Sequence, residues 1–352
     1  MTWTILNVGY PLAAVSADAV GGAEQVLAML DRALVQSGHR SLVIAAAGSQ
    51  VQGTLVALPS VPDVIDDAVR DRAHRAARAA IAETLANEHV DIIHMHGIDF
   101  CEYLPAAHVP VLVTLHLPLD WYPAGSLHPE RPRTFLHCVS QAQADAYSNQ
   151  SHDAAAFLDP IPNGVDLTRF QPRAAKRNFA LLLGRICPEK GVDIAVRACK
   201  RAGLPLLIGG QVYPYAAHEE YFRERVLPLL DECRRFLGPL ALARKAALLA
   251  SARCLLIPSL AAETSSLVAM EAAASGTPVI AFRSGALPGI VEDGVTGFLV
   301  DGEEDMAGAI RRANEIDPAR CRGEAELRFD ARQTVEKYFR TYARLQSEAA
   351  NT

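Results

Sequence analysis

The run Cys254-Leu255-Leu256-Ile257 is followed by Pro258-Ser259-Leu260-Ala261-Ala262-Glu263-Thr264-Ser265, then by an Ala-rich stretch from Ser266 to Ala274, then by Pro278-Val279-Ile280-Ala281. Four apolar residues closed by a proline read as a strand, the Ala-rich stretch as a helix, and the second apolar run as another strand. A strand, a helix and a strand in that order form a parallel βαβ unit, because parallel neighbours need a crossover between them. The same alternation extends in both directions. Strands are expected at Trp3 to Gly9, Arg40 to Ala46, Asp91 to His94, Val111 to His116, Phe135 to Ser140, Phe179 to Leu183, Pro205 to Ile208 and Gly297 to Val300. Helices are expected at Ala23 to Gln36, Val64 to Ala86, Gln141 to Ser148, Val192 to Arg201, Tyr221 to Phe236 and Ala241 to Ala250. The fold class is α/β, with two doubly wound units.

Turn residues gather at Ile161-Pro162-Asn163-Gly164-Val165-Asp166 and Gln171-Pro172-Arg173, placing a boundary between domains at 1–170 and 171–330. In 331–352, Val335, Tyr338, Phe339, Tyr342 and Leu345 recur at helical spacing after the second sheet is complete, so this helix is expected to cross back to the first domain. The 352 residues are 50% hydrophobic and 21% charged, enough to bury two cores. A net charge of −6 argues against broad nucleic-acid binding, so any phosphate site is local. Seven cysteines without a C-x-x-C pair read as reduced core thiols in the cytoplasm. No basic leader precedes the first strand, and no apolar run is long enough to span a bilayer, although contact with the inner face of a membrane stays open. The stretch Val69 to Leu85 sets Arg72, Arg75 and Arg78 apart from Val69, Ala73, Ala76, Ala77, Ala80 and Ile81, which reads first as a solvated helix face.

Ligands of open α/β sheets bind beyond the carboxyl ends of strands. Glu263 and Glu271 follow one such end, the first in the loop and the second two turns into the helix, where both could meet hydroxyls while the helix start favours an anion. Gly184-Arg185 and Glu189-Lys190-Gly191 follow another, and a turn there brings a guanidinium fork and a mobile ammonium to one anion, as a diphosphate requires. Gly21 and Gly22 precede a helix and leave room for phosphate close to the backbone. His94, His96 and His116 end two strands of the first half. A zinc reading of the first two needs a further ligand, and hydrogen-bonded core or cleft-lining histidines are the plainer reading.

Taken in order, Gly21-Gly22-Ala23-Glu24, Ile161 to Asp166, Gly184-Arg185 with Glu189-Lys190-Gly191, Phe236-Leu237-Gly238, Pro258-Ser259, Glu263 to Glu271, Gly276-Thr277-Pro278 and Val291 to Val300 resemble the retaining glycosyltransferases of family 4, the group 1 enzymes of GT-B architecture. The resemblance covers nearly the whole chain and is densest from Ile161 to Val300. It implies two Rossmann-like domains facing a central cleft, the first on the acceptor side and the second binding a nucleoside-diphosphate sugar, UDP- or GDP-linked. It implies Arg185 and Lys190 on the donor diphosphate, Glu263 on the sugar, Glu271 on the ribose, and Thr264, Ser265, Ser266 and Leu267 along sugar and phosphate. Gly184, Gly21 and Gly22 would also contact the donor, the base would stack near Gly238, and His116 would stand near the reacting centre. The implied activity is hexosyl transfer with retention to a glycan, lipid-linked or small-molecule acceptor, with no cofactor and no metal.

Two departures bear on that expectation. Thr264-Ser265-Ser266 replaces the family's Gly-Phe-Gly and narrows the sugar pocket, and Pro288-Gly289-Ile290 has Gly where the family has Glu. Other readings are a non-catalytic sugar-nucleotide-binding subunit of the same fold, a sugar-nucleotide epimerase and a phosphorylase. A nicotinamide dehydrogenase is disfavoured because no G-x-G-x-x-G follows a strand.

Overall fold

The computed structural model describes residues 2–62, 64–106, 108–148, 157–173 and 175–350. They divide into two units, Met1–Pro162 with Thr334–Thr352, and Asn163–Gln333. The break lies at 162/163 and not at 170/171 because Val165 is tied to the second unit: its N–H donates to the Phe329 carbonyl at 2.8 Å and its carbonyl accepts from the Ala331 N–H at 3.0 Å. Val165, Leu167 and Phe170 then pack in that unit's core.

The first unit runs β1 (Thr4–Val8), α1 (Gly22–Gln36), β2 (Arg40–Ala46), β3 (Thr54–Leu58), α2 (Asp67–Asn87), β4 (Ile92–Met95), β5 (Val111–Leu115), β6 (Thr134–Cys138) and α3 (Gln141–Ser148). Its parallel sheet has the order β3-β2-β1-β4-β5-β6. The second runs β7 (Ala180–Arg185), α4 (Val192–Ala202), β8 (Leu206–Gln211), α5 (Ala216–Tyr221), β9 (Arg234–Phe236), α6 (Leu242–Ser251), β10 (Cys254–Ile257), α7 (Leu267–Ala274), β11 (Val279–Phe282), α8 (Leu287–Ile290), β12 (Gly297–Val300), α9 (Glu303–Arg312) and α10 (Pro318–Arg328). Its parallel sheet has the order β12-β11-β10-β7-β8-β9. In both sheets the chain starts at the centre, winds out over two strands, returns, and builds the other side, which is the doubly wound Rossmann pattern with its switch point beside the first strand. In the second unit that point lies between β7 and β10.

Several expectations need correction. The stretch Tyr221 to Phe236 is not one helix. After α5 the chain continues in a wider, π-type turn over Phe222–Val226 and a 3-10 turn over Leu227–Leu229. Pro228 offers no N–H to extend it. The Asp231 carboxylate then accepts from the Cys233 and Arg234 N–H groups, each at 2.9 Å, and turns the chain into β9. That strand, Arg234–Phe236, is three residues long and two of them are charged, so it shows no apolar pattern; β3 carries the apolar run Leu55 to Leu58, which is absent from the expected strands, and both are short edge strands with partly open faces. Cys233 is exposed and so is not a core thiol.

The final helix α11 (Ala331–Ala350) lays Tyr338, Tyr342 and Leu345, all fully buried, against the first unit. Trp3 meets it there, with its Nε1–H donating to Gln346 Oε1 at 2.9 Å and its ring edge-on to Phe339 and Tyr342. On α2, Ala77 and Ile81 are buried while Arg72, Arg75 and Arg78 face solvent. Among the described residues no helix is long and apolar enough to cross a membrane.

Candidate active site

The loop after β10 is held from both sides by backbone. On one side, Leu260 N–H donates to the Glu189 carbonyl at 2.8 Å, and Gly191, at φ 59°, lies so close that a Cβ there would stand 2.3 Å from the Pro258 carbonyl oxygen. On the other, Ala286 N–H donates to the Glu263 carbonyl at 2.6 Å, Ser284 Oγ donates to the Ala261 carbonyl at 2.8 Å, and Gly285, at φ 53°, would put a Cβ 2.1 Å from the Glu263 oxygen. Only glycine combines a left-handed backbone with such approach, so both positions fix where the loop passes. The loop is therefore clamped between the turns that follow β7 and β11.

That clamp fixes Glu263, and α7 carries a second carboxylate, Glu271. Glu263 Oε1 accepts from Lys190 Nζ at 2.5 Å and from Ser259 Oγ, and its side chain is 9% exposed. Glu271, on α7, is buried, and its Oε1 accepts from Lys245 Nζ of α6 at 2.6 Å. Burial raises the Glu271 carboxyl above the usual range, and Lys245 opposes that shift. Both glutamates thus commit one oxygen to a lysine, while Oε2 of each has no partner among the described residues. Between them in sequence, Ser265 Oγ is buried without a hydrogen-bond partner among the described residues, and α7 starts at Ser266 with no side-chain cap, leaving first-turn N–H groups available to an anion. Arg185 ends β7 half-buried, and a Cβ added at Gly184 would meet nothing within 4 Å.

In the first unit the histidines form a buried network. His137 Nδ1 lies 3.0 Å from the Cys138 carbonyl and so carries a proton there, which makes its Nε2 an acceptor. Thr114 Oγ1, 2.7 Å away, donates to it. The same oxygen then accepts from His94 Nε2–H at 2.7 Å and from the Tyr338 hydroxyl at 3.2 Å, and His94 Nδ1 accepts from the Tyr342 hydroxyl at 2.7 Å. One carbonyl thus sets the tautomers of His137 and His94. His94 is therefore a core histidine, and His96 is one by its burial; His96 Nδ1 and His116 Nε2 share a proton at 3.0 Å. Burial drives all four rings down, His116 to about 3 and His137 to about 4, so they are neutral near pH 7.

A family model described as glycosyl transferases group 1 matches residues 177–315, and one described as glycosyltransferase family 4 matches residues 20–169. The chain belongs to the group 1 glycosyltransferases. Among curated relatives it is similar to the D-inositol 3-phosphate glycosyltransferase of Mycolicibacterium smegmatis, 34% identical over 54% of this chain and 48% of that one. It is also similar to the Nocardia farcinica protein of the same name, 36% identical over 44% of this chain and 39% of that one. The chain thus covers half or less of these relatives' length. Among solved structures, a sucrose-phosphate synthase from Thermosynechococcus elongatus has a TM-score of 0.81 at 21% identity, covering 98% of this chain and 100% of that one. A glycosyltransferase involved in avilamycin A biosynthesis has a TM-score of 0.72 at 24% identity, covering 98% of each. These two likenesses establish the GT-B fold.

Within this group 1 glycosyltransferase, the structure brings Lys190 and Glu263 together directly, whereas the sequence spacing pairs Lys190 with Arg185 on an anion. Gly21 is the N-cap of α1 and Gly22 its first residue. Gly238 uses its carbonyl to accept from the Gly210 N–H at 2.9 Å, while the neighbouring Phe236 ring packs on Phe222. Three participants escaped the sequence reading. Ser259 stands out in the sequence only as part of the Pro258-Ser259 motif. Lys245 left one signal, a cation inside the Ala/Leu-rich α6, which needs a buried partner. His137 left none, because its meeting with Thr114 depends on the register of β5 and β6.

Proposed function

We propose that this chain is a retaining glycosyltransferase that takes a UDP- or GDP-linked sugar as donor and moves a hexosyl-type group to a glycan, lipid-linked or small-molecule acceptor. The observation that carries this reading is the pair of lysine-held carboxylates, Glu263 and Glu271, each keeping one oxygen uncommitted among the described residues, together with the uncapped start of α7 between them in sequence. Carboxylate oxygens suit sugar and ribose hydroxyls, and the helix start with Arg185 suits a diphosphate. Lys190 has three donors and gives one to Glu263, so two remain for phosphate.

In this reading the bond between the anomeric carbon and the β-phosphate oxygen breaks while the acceptor hydroxyl attacks from the same face, and the acceptor's proton passes to the departing phosphate. Arg185, Lys190 and the α7 start stabilise the charge growing on that phosphate, so the transfer is proposed to run without a metal or cofactor. His116, held neutral, serves the reacting centre as a hydrogen-bonding group and not as a cation. The relatives' name makes D-inositol 3-phosphate the first acceptor to assay.

The test is calorimetric titration with nucleoside diphosphates and their sugars, followed by radiolabelled transfer in the wild type and in Glu263→Gln. Binding of one nucleotide, with transfer in the wild type and at least a hundredfold loss in the variant, is the expected result. Binding without transfer to any acceptor would favour a non-catalytic sugar-nucleotide-binding subunit. Absence of binding to every nucleotide would remove the reading altogether.

A further inference from the structure

The turn that carries Lys190 holds a second group of side chains. Cys187 precedes the 3-10 turn Pro188–Lys190, Glu189 lies within it, and His218 comes from α5. The Cys187 sulfur, one carboxylate oxygen of Glu189 and one ring nitrogen of His218 all lie within 4.8 Å of one another. Cys187 is buried, and among the described residues its thiol has a hydrogen bond to Glu189 and a long 4.0 Å contact to the Arg185 carbonyl. Independently, His218 Nδ1 is sealed from solvent and has no hydrogen-bond partner among the described residues. A sealed ring nitrogen without a partner is costly unless something absent from the protein chain occupies its lone pair or takes its proton.

We infer that Cys187, Glu189 and His218 form a binding site for one thiophilic divalent cation of the zinc type. The donor set is the argument. A thiolate and an imidazole select zinc over magnesium or calcium, and a carboxylate completes three protein ligands of a tetrahedron. Ligand atoms around tetrahedral zinc stand about 3.5 Å apart, given bond lengths of about 2.0 to 2.3 Å, so closing this group takes side-chain adjustment and not a backbone shift. On binding, the Cys187 thiol gives its proton to solvent and two sulfur electrons to the metal bond; nothing is oxidised or reduced. The negative charges of Cys187 and Glu189 offset the dication, which makes the site compatible with the Arg185 guanidinium nearby. The fourth position stays open to water or an anion. The site is separate from the proposed transfer step, which asks nothing of it, and its effect on the fold is to staple the Lys190 turn to α5.

The experiment is titration with Co²⁺ of full-length protein carrying Cys233→Ser, a background that removes the exposed thiol. A thiolate-to-cobalt charge-transfer band in the near ultraviolet, saturating at one equivalent and erased by Zn²⁺, is expected. Adding Cys187→Ser should abolish the band, and adding His218→Ala should weaken Co²⁺ binding at least tenfold while circular dichroism stays unchanged. Absence of the band in the Cys233→Ser background would overturn the inference. So would a band that survives Cys187→Ser, which would mark adventitious binding elsewhere. If Cys187→Ser does not fold, His218→Ala decides alone, and unchanged affinity in it refutes the site.

Discussion

Replacing Thr114 by valine keeps the shape of the side chain and deletes the oxygen on which the buried network of the first unit converges. That oxygen donates to His137 Nε2 and accepts from His94 Nε2 and the Tyr338 hydroxyl, so its full capacity of one donor and two acceptors is in use. Thr114→Val leaves three buried polar groups unpaired. At about 1.5 kcal/mol each, less about 1 kcal/mol for putting a methyl where a hydroxyl was, the expected loss is about 3 to 4 kcal/mol. Thr114→Ser keeps the oxygen and loses a methyl, costing about 1 kcal/mol. Both tryptophans of the chain, Trp3 and Trp121, belong to the first unit, so their fluorescence in urea reports this unit by itself. With a slope of about 2 kcal/mol/M, the valine variant should unfold about 1.5 to 2 M earlier than the wild type and the serine variant about 0.5 M earlier. Equal midpoints for the two variants would refute the tautomer assignment and the claim that the oxygen holds α11 in place.

Two further expectations follow from buried charge. Lys245→Met removes the only ammonium bonded to Glu271 among the described residues, so the carboxyl should shift further upward. Donor KM should then rise at least tenfold at pH 7 and fall again as pH increases, with kcat little changed; a pH-independent KM equal to that of the wild type would show that Lys245 does not hold Glu271 ionised. The histidine network predicts acid sensitivity: a group whose folded pKa lies below its unfolded value of about 6.5 gives stability that is complete above that value and is lost as pH falls. With His116 at about 3 and His137 at about 4, each contributes a loss of about 2 kcal/mol by pH 5, and His94 and His96 act in the same direction. Urea midpoints read by tryptophan should drop between pH 7.5 and 5, less steeply in His137→Gln, and a flat midpoint would contradict the neutral cluster.

What the sequence by itself determined is whatever depends on neighbours along the chain. The apolar runs at Arg40 to Ala46, Cys254 to Ile257 and Gly297 to Val300 mark strands because both faces of a covered parallel sheet are buried. The turn motifs at Gly184 to Gly191 and Glu263 to Glu271 were legible for the same reason, since a strand end and the helix after it are one local unit. Tertiary structure decided the rest. Tyr221 to Phe236 looked helical by composition, but Pro228 and the Asp231 turn redirect it to a strand that needs β8 as a partner. Lys245 finds Glu271, and Lys190 finds Glu263, only when α6 packs beside α7 and the β7 turn clamps the β10 loop. Thr114 meets His137 because β5 and β6 pair in one register, and α11 meets both from the far end of the sequence. Local propensity writes elements into the chain, whereas a buried polar partner is chosen by register and packing, because only there does leaving a charge or hydroxyl unpaired cost enough to select one neighbour.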